Sequence, residues 1–66
     1  MQIILNGTEK NFQDQISIAT LIKELGLDER KIAIERNKEI VPRTAFNTIN
    51  LCQGDKIEIV HFIGGG

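Results

Sequence analysis

Gln2, Ile3, Ile4 and Leu5 open the chain as a short, mostly apolar run, and Asn6-Gly7 follows it directly. That pair suits a two-residue hairpin turn, because both of its positions adopt positive φ. The pattern predicts a return strand over residues 8–12, more polar than the first and nearer a sheet edge. Ser17 then offers a hydroxyl that can cap a helix. Ile18, Leu21, Ile22 and Leu25 recur at i, i+3, i+4 and i+7, one apolar stripe, with Thr20, Lys23 and Glu24 off it. Gly26 is placed to end this helix in a left-handed conformation, with Leu27 folding back onto the last turn. A helix of about nine residues is too short to persist alone in water and must lie on a sheet.

Residues 28–31 read as a charged loop, and residues 32–35 as a strand. Asn37 is a turn candidate, and residues 39–41 form a second, shorter strand, which Pro42 ends by removing a ladder donor. Ala45, Phe46 and Ile49 can line one side of a short helical turn in an otherwise ambiguous segment over residues 44–51. After a turn over residues 53–56, the last strand runs from Ile57 to Ile63. Ile57, Ile59 and Ile63 share one of its faces with His61 between them, and Glu58, Val60 and Phe62 share the other. The order is hairpin, helix, two strands, irregular segment, strand. An α+β domain satisfies it with one helix across one face of a mixed sheet of four to five strands. The first and last apolar strands are then central and parallel, which is the β-grasp, or ubiquitin-like, arrangement.

Length narrows the functions open to this chain. Its 66 residues make one domain, and a domain so small buries only about 60% of the surface its unfolded chain exposes. No deep enclosed active site fits, which counts against an independent enzyme. A hydrophobic content of 41% is ordinary for a folded domain and argues against disorder. Eight basic and nine acidic residues are interspersed, and Trp and Tyr are absent, so no nucleic-acid partner is expected. The N-terminal run is too short for a signal peptide, and no apolar run approaches the ~20 residues that span a bilayer. With Cys52 the single cysteine, the expectation is a cytoplasmic protein without membrane contact or internal disulfide.

The chemistry lies at the end of the chain. The last strand leads into Gly64, Gly65 and Gly66, giving a β-grasp domain over residues 1–63 and a flexible glycine tail over residues 64–66. Three glycines after an apolar strand can neither fill a core nor cap a helix. One reading is a plain flexible terminus. The other is a tail without side chains that threads a narrow channel, where the missing Cβ lets a partner's backbone approach. Its tip would carry a carboxylate, ionised at neutral pH. Attack of that carboxylate on the α-phosphate of ATP makes an acyl-adenylate, and a sulfur nucleophile can then displace AMP to leave a thiocarboxylate.

Several segments carry a family likeness over the whole chain. They are Ile3-Ile4-Leu5-Asn6-Gly7, the helix with Leu21 and Leu25, the run Ile34-Glu35-Arg36-Asn37-Lys38-Glu39-Ile40-Val41-Pro42-Arg43, Gly54-Asp55, and the ending Ile63-Gly64-Gly65-Gly66. On these the chain resembles the sulfur carrier family of thiamine biosynthesis, commonly called ThiS. The resemblance implies a ubiquitin-like fold and a carrier, not an enzyme, for the sulfur of the thiazole ring. It implies that Gly66 bears the sulfur, that Gly65 belongs to an essential diglycine, and that the chain itself needs no cofactor. The implied partners are an adenylating enzyme like those that activate ubiquitin, using ATP and magnesium; a sulfur donor such as a cysteine desulfurase; and thiazole synthase. A molybdopterin-type sulfur carrier shares the tail, but such chains tend to be longer, and Val41-Pro42-Arg43 favours thiamine. A ubiquitin-like modifier or interaction module is the other alternative.

The remaining candidates read as follows. Cys52 is expected to be a small semi-buried hydrophobe, since nothing local in the sequence guarantees the cation that a reactive thiolate needs. His61, without ligand partners at metal spacing, reads as a strand residue near the tail, a filling residue in preference to one that touches a partner. For Arg43 the two readings are contact with a partner carboxylate or phosphate and a solvated side chain, of which the second is preferred. Val60 and Phe62, beside Gly64 and Gly65, are candidates for partner binding on an uncovered sheet face. The competing expectation is that the segment from Pro42 to Leu51 folds over them.

Overall fold

The structure, a computed structural model, describes residues 1–62. Ile63 and the glycines at 64, 65 and 66, on which the tail expectation falls, lie outside the described residues. The chain forms β1 (Gln2–Leu5), β2 (Thr8–Asn11), α1 (Ile18–Glu24), β3 (Ile32–Arg36), β4 (Glu39–Val41) and β5 (Lys56–His61). Short 3-10 turns occupy Glu29–Lys31 and Arg43–Ala45. The five strands make one mixed sheet in the order β2-β1-β5-β3-β4. β1 and β5 run parallel, and the other neighbours run antiparallel. This is the expected β-grasp: β5 is central, flanked by β1, and the polar β2 lies at an edge with every residue exposed.

Local chemistry sets the boundaries. Asn6 and Gly7 have φ of 48° and 81°, the two left-handed positions of the hairpin turn. Ser17 Oγ accepts from the Thr20 amide at 3.1 Å and caps α1. At the other end Gly26 takes φ 72°, Leu27 N donates to Ile22 O at 3.1 Å and Gly26 N to Lys23 O at 3.0 Å. These paired bonds satisfy carbonyls that a helix end would leave open. Residues 28–31, expected as a plain loop, are ordered by Asp28, whose carboxylate accepts from the Arg30 amide at 2.9 Å and caps the 3-10 turn. Side-chain hydrogen bonding from Arg30, reinforced by its amide, holds the Asp28 pKa down at about 2.

The helix lies over one sheet face. Ile18, Leu21 and Ile22 pack with Ile3 and Leu5 of β1, Ile34 of β3, and Ile57 and Ile59 of β5, all buried. Each such side chain contributes roughly 1.5–3 kcal/mol on burial. The ambiguous segment after Pro42 completes this same core. Phe46 is 2% exposed and Leu51 4%. Phe46 O accepts from Ala19 N at 2.8 Å, Ile49 O from Ile18 N at 3.0 Å, and Leu51 N donates to Ile16 O at 2.9 Å. The loop is thereby tied to the start of the helix.

One turn stores strain. Asn37 and Lys38 link β3 to β4 with φ of 52° and 71°, and lysine tolerates the left-handed region poorly. Lys38→Gly is expected to stabilise the domain by about 0.5–1 kcal/mol, read as a higher urea midpoint at unchanged slope.

Candidate functional site

Strand alternation sends Glu58, Val60 and Phe62 to the face opposite the helix. Val60 is 58% exposed and Phe62 56%. The segment from Pro42 to Leu51 lies on the helix side, so it does not cover them, and the uncovered-face expectation holds. The structure adds Ile40, at 67% exposure, which the sequence reading passed over. Ile40 pairs with Glu35, and Glu35 with Glu58, which puts Ile40 on the same face as Val60. Val60 itself stands opposite Ala33. The signal was present: buried Val41 next to a strand-ending proline forces its neighbour Ile40 outward.

This apolar face borders the point where the chain leaves the sheet. β5 is paired with β3 up to His61 opposite Ile32, and Phe62 N donates to Lys31 O at 2.9 Å. Phe62 is thus the last described residue and is held by the backbone of the 3-10 turn. β4 runs parallel to β5, and its end brings Pro42 and Arg43 to the same edge. There Glu29, Pro42, Arg43, Thr44 and Asn47 line an open groove. Arg43 is exposed and makes no salt bridge among the described residues, as a solvated arginine should.

Two expectations are corrected. Cys52 is exposed, not semi-buried; it lies outside the strands, just ahead of the turn before β5, and its Sγ lies 3.7 Å from Arg36 Nη2, a cation brought from β3. His61 does not fill the core. It shares the face of Ile57 and Ile59 but is exposed at the end of β5.

At the opposite end of β5 the segments around Arg36-Asn37 and Gly54-Asp55 form one cluster. The Asp55 carboxylate, 7% exposed, accepts from Cys52 N at 2.8 Å, Arg36 Nε at 2.9 Å and Asn37 Nδ2 at 3.1 Å. Asn37 Oδ1 in turn accepts from Lys56 N at 3.0 Å. Burial is the largest single influence on Asp55 and pushes its pKa up. The Cys52 amide, Arg36 and Asn37 together outweigh it, so the carboxyl lies below its ordinary value. This cluster binds the β3–β4 turn to the turn before β5. Among the described residues no group of three or more His, Cys, Asp or Glu is arranged to hold a metal, and no helix is long and apolar enough to cross a membrane.

Comparison with known proteins agrees with this architecture. The model of the ThiS family matches residues 3–66. A sulfur carrier protein ThiS of Bacillus subtilis is 40% identical over 63 residues, covering 94% of this chain and 96% of that protein. A thiazole synthase of Paramagnetospirillum magneticum is 48% identical over 66 residues, which is all of this chain; the chain spans only 20% of that protein's length. The crystal structure of a thiamine biosynthesis protein (ThiS) from Geobacter metallireducens superposes with a TM-score of 0.86 at 26% identity, covering all of both chains. With a family match running from the first strand through the glycines, and near-complete mutual coverage with a curated ThiS protein, this chain belongs to the ThiS family.

Proposed function

We propose that this chain is a sulfur carrier of thiamine biosynthesis, a co-substrate of other enzymes and not an enzyme itself, working in the cytoplasm. The carboxylate of Gly66 attacks the α-phosphate of ATP on an adenylating partner, releasing pyrophosphate. Sulfur then replaces AMP: free sulfide attacks the acyl carbon and expels AMP directly, or the terminal sulfur of a cysteine desulfurase persulfide does so to give an acyl disulfide, which a thiol cleaves to a mixed disulfide, and either route leaves a thiocarboxylate. Thiazole synthase takes the sulfur. ATP and magnesium are bound by the adenylating partner, and the carrier holds no cofactor. Gly64 and Gly65 let the partner's backbone close on the tail, and Val60 and Phe62 form the adjoining docking face. The observation that carries this reading is the family match through residue 66. The thiazole synthases matched over all 66 residues of this chain support a functional link to that enzyme.

Mass spectrometry tests the reading. Incubation with an adenylating enzyme of this pathway, ATP, magnesium and sulfide is expected to make the chain heavier by the difference between sulfur and oxygen. Gly65→Val and a chain lacking Gly66 should gain nothing. An amide conjugate to a lysine of another protein would instead identify a modifier. Val60→Ser with Phe62→Ser should unfold within about 0.5 kcal/mol of the parent, since both side chains are already exposed. The pair should nevertheless slow conversion at limiting carrier concentration; an unchanged rate would remove this face from the proposal.

A further inference from the structure

β1 ends at Leu5, yet β5 runs on to His61. The parallel ladder between them reaches Asn6, whose amide donates to Ile57 O at 2.9 Å. Evenly spaced bonding would next engage the amide and carbonyl of Ile59, but the backbone has turned away at Asn6 and Gly7. The Asn6 side chain takes over. Its Oδ1 accepts from Ile59 N at 2.8 Å, and its Nδ2 donates to Ile59 O at 3.4 Å. A carboxamide carries the same donor and acceptor as a peptide group. It thus stands in for the strand residue that β1 lacks. Ile59 stands opposite Ile34 of β3 on one side, and this side chain bonds both of its backbone groups from the other.

We propose that Asn6 is a positioning residue for the C-terminal tail: its side-chain amide seats the outer half of β5 so that the chain leaves the sheet at Phe62 from a fixed point. The inference rests on the sulfur-carrier reading. Without the amide, the segment from Ile59 onward is paired with β3 alone, and a partner that recognises the tail must order part of it. Ordering one additional residue weakens recognition by a factor on the order of ten.

Asn6 also serves the hairpin turn, so the variants must separate the two roles. Asn6→Gly keeps positive φ and removes the amide. Asn6→Asp keeps the oxygen that accepts from Ile59 N. Asn6→His, which also tolerates positive φ, is a second carboxamide-free variant should the glycine variant not fold. The experiment measures hydrogen exchange at the Ile59 amide and steady-state adenylation at saturating ATP with varied carrier, at a temperature where each variant is fully folded. The expected result for Asn6→Gly is at least tenfold faster exchange at Ile59 and about a tenfold higher KM, with kcat within twofold. Asn6→Asp should stay within threefold of the parent in KM. Wild-type exchange at Ile59 in the glycine variant, or faster exchange with unchanged KM, would overturn the inference while the parent is still adenylated. A parent chain that is not adenylated would overturn the sulfur-carrier reading and this inference with it.

Discussion

Replacing Phe46 with alanine is expected to remove about 3–5 kcal/mol of stability, the range for deleting a fully buried aromatic ring. The ring is 2% exposed, among the largest fully buried side chains of the domain. Its backbone carbonyl meanwhile holds the Ala19 amide at the start of the helix. A protein of 66 residues has on the order of 3–10 kcal/mol of stability in all. The substitution therefore consumes much or all of it. Urea unfolding followed by circular dichroism should show a midpoint near zero denaturant or no folded baseline. Phe46→Leu, which refills most of the volume, should lose only about 1–1.5 kcal/mol. Equal losses for the two variants would mean that the site collapses around the hole and that the loop after Pro42 is not part of the core.

The second large effect is expected at Asp55. Asp55→Ala leaves the Cys52 amide, the Asn37 amide and the half-buried Arg36 without their shared acceptor. Removing one partner of a buried network costs about 2–4 kcal/mol here, below the range for a fully buried pair because Arg36 is 29% exposed and regains some hydration. The pH dependence follows from the lowered carboxyl pKa. The unfolded chain binds the proton more readily than the native one. The contribution is therefore fully present above the ordinary carboxylate pKa of about 3.9 and is lost as pH falls through the lower native value. Stability measured from pH 6 down to pH 2 should fall more steeply for the parent than for Asp55→Asn. The residual slope in the variant comes in part from Asp28, whose pKa is also held low. Parallel curves for parent and variant would show that Asp55 is not linked to folding in this way.

Two expected effects meet at the end of β5. The open-face variants remove exposed apolar area beside the exit point, and the Asn6 variants loosen the strand that supplies that point. The first should act with no loss of Ile59 protection and the second only with it. Hydrogen exchange at one amide thus distinguishes weakened docking from a displaced tail.

What the sequence by itself determined are the features that depend on neighbours along the chain. The stripe Ile18, Leu21 and Ile22, the Ser17 cap, the left-handed Gly26, the hairpin turn at Asn6-Gly7 and the alternation in β5 are all local. A period of 3.6 or 2 tells which residues share a face. The same alternation left Val60 and Phe62 together on one side and so made the uncovered apolar face legible. What only the tertiary structure decided are the pairings between distant segments and the question of which face is covered. Asn6 meets Ile59 across 53 positions, and Arg36 meets Asp55 across 19. Pattern alone left the segment after Pro42 free to lie on either face of the sheet, and packing Phe46 and Leu51 against the helix settled it. The exposure of Val60 and Phe62 followed from that choice, because a side chain's burial depends on what the topology places above it, and no local period carries that information.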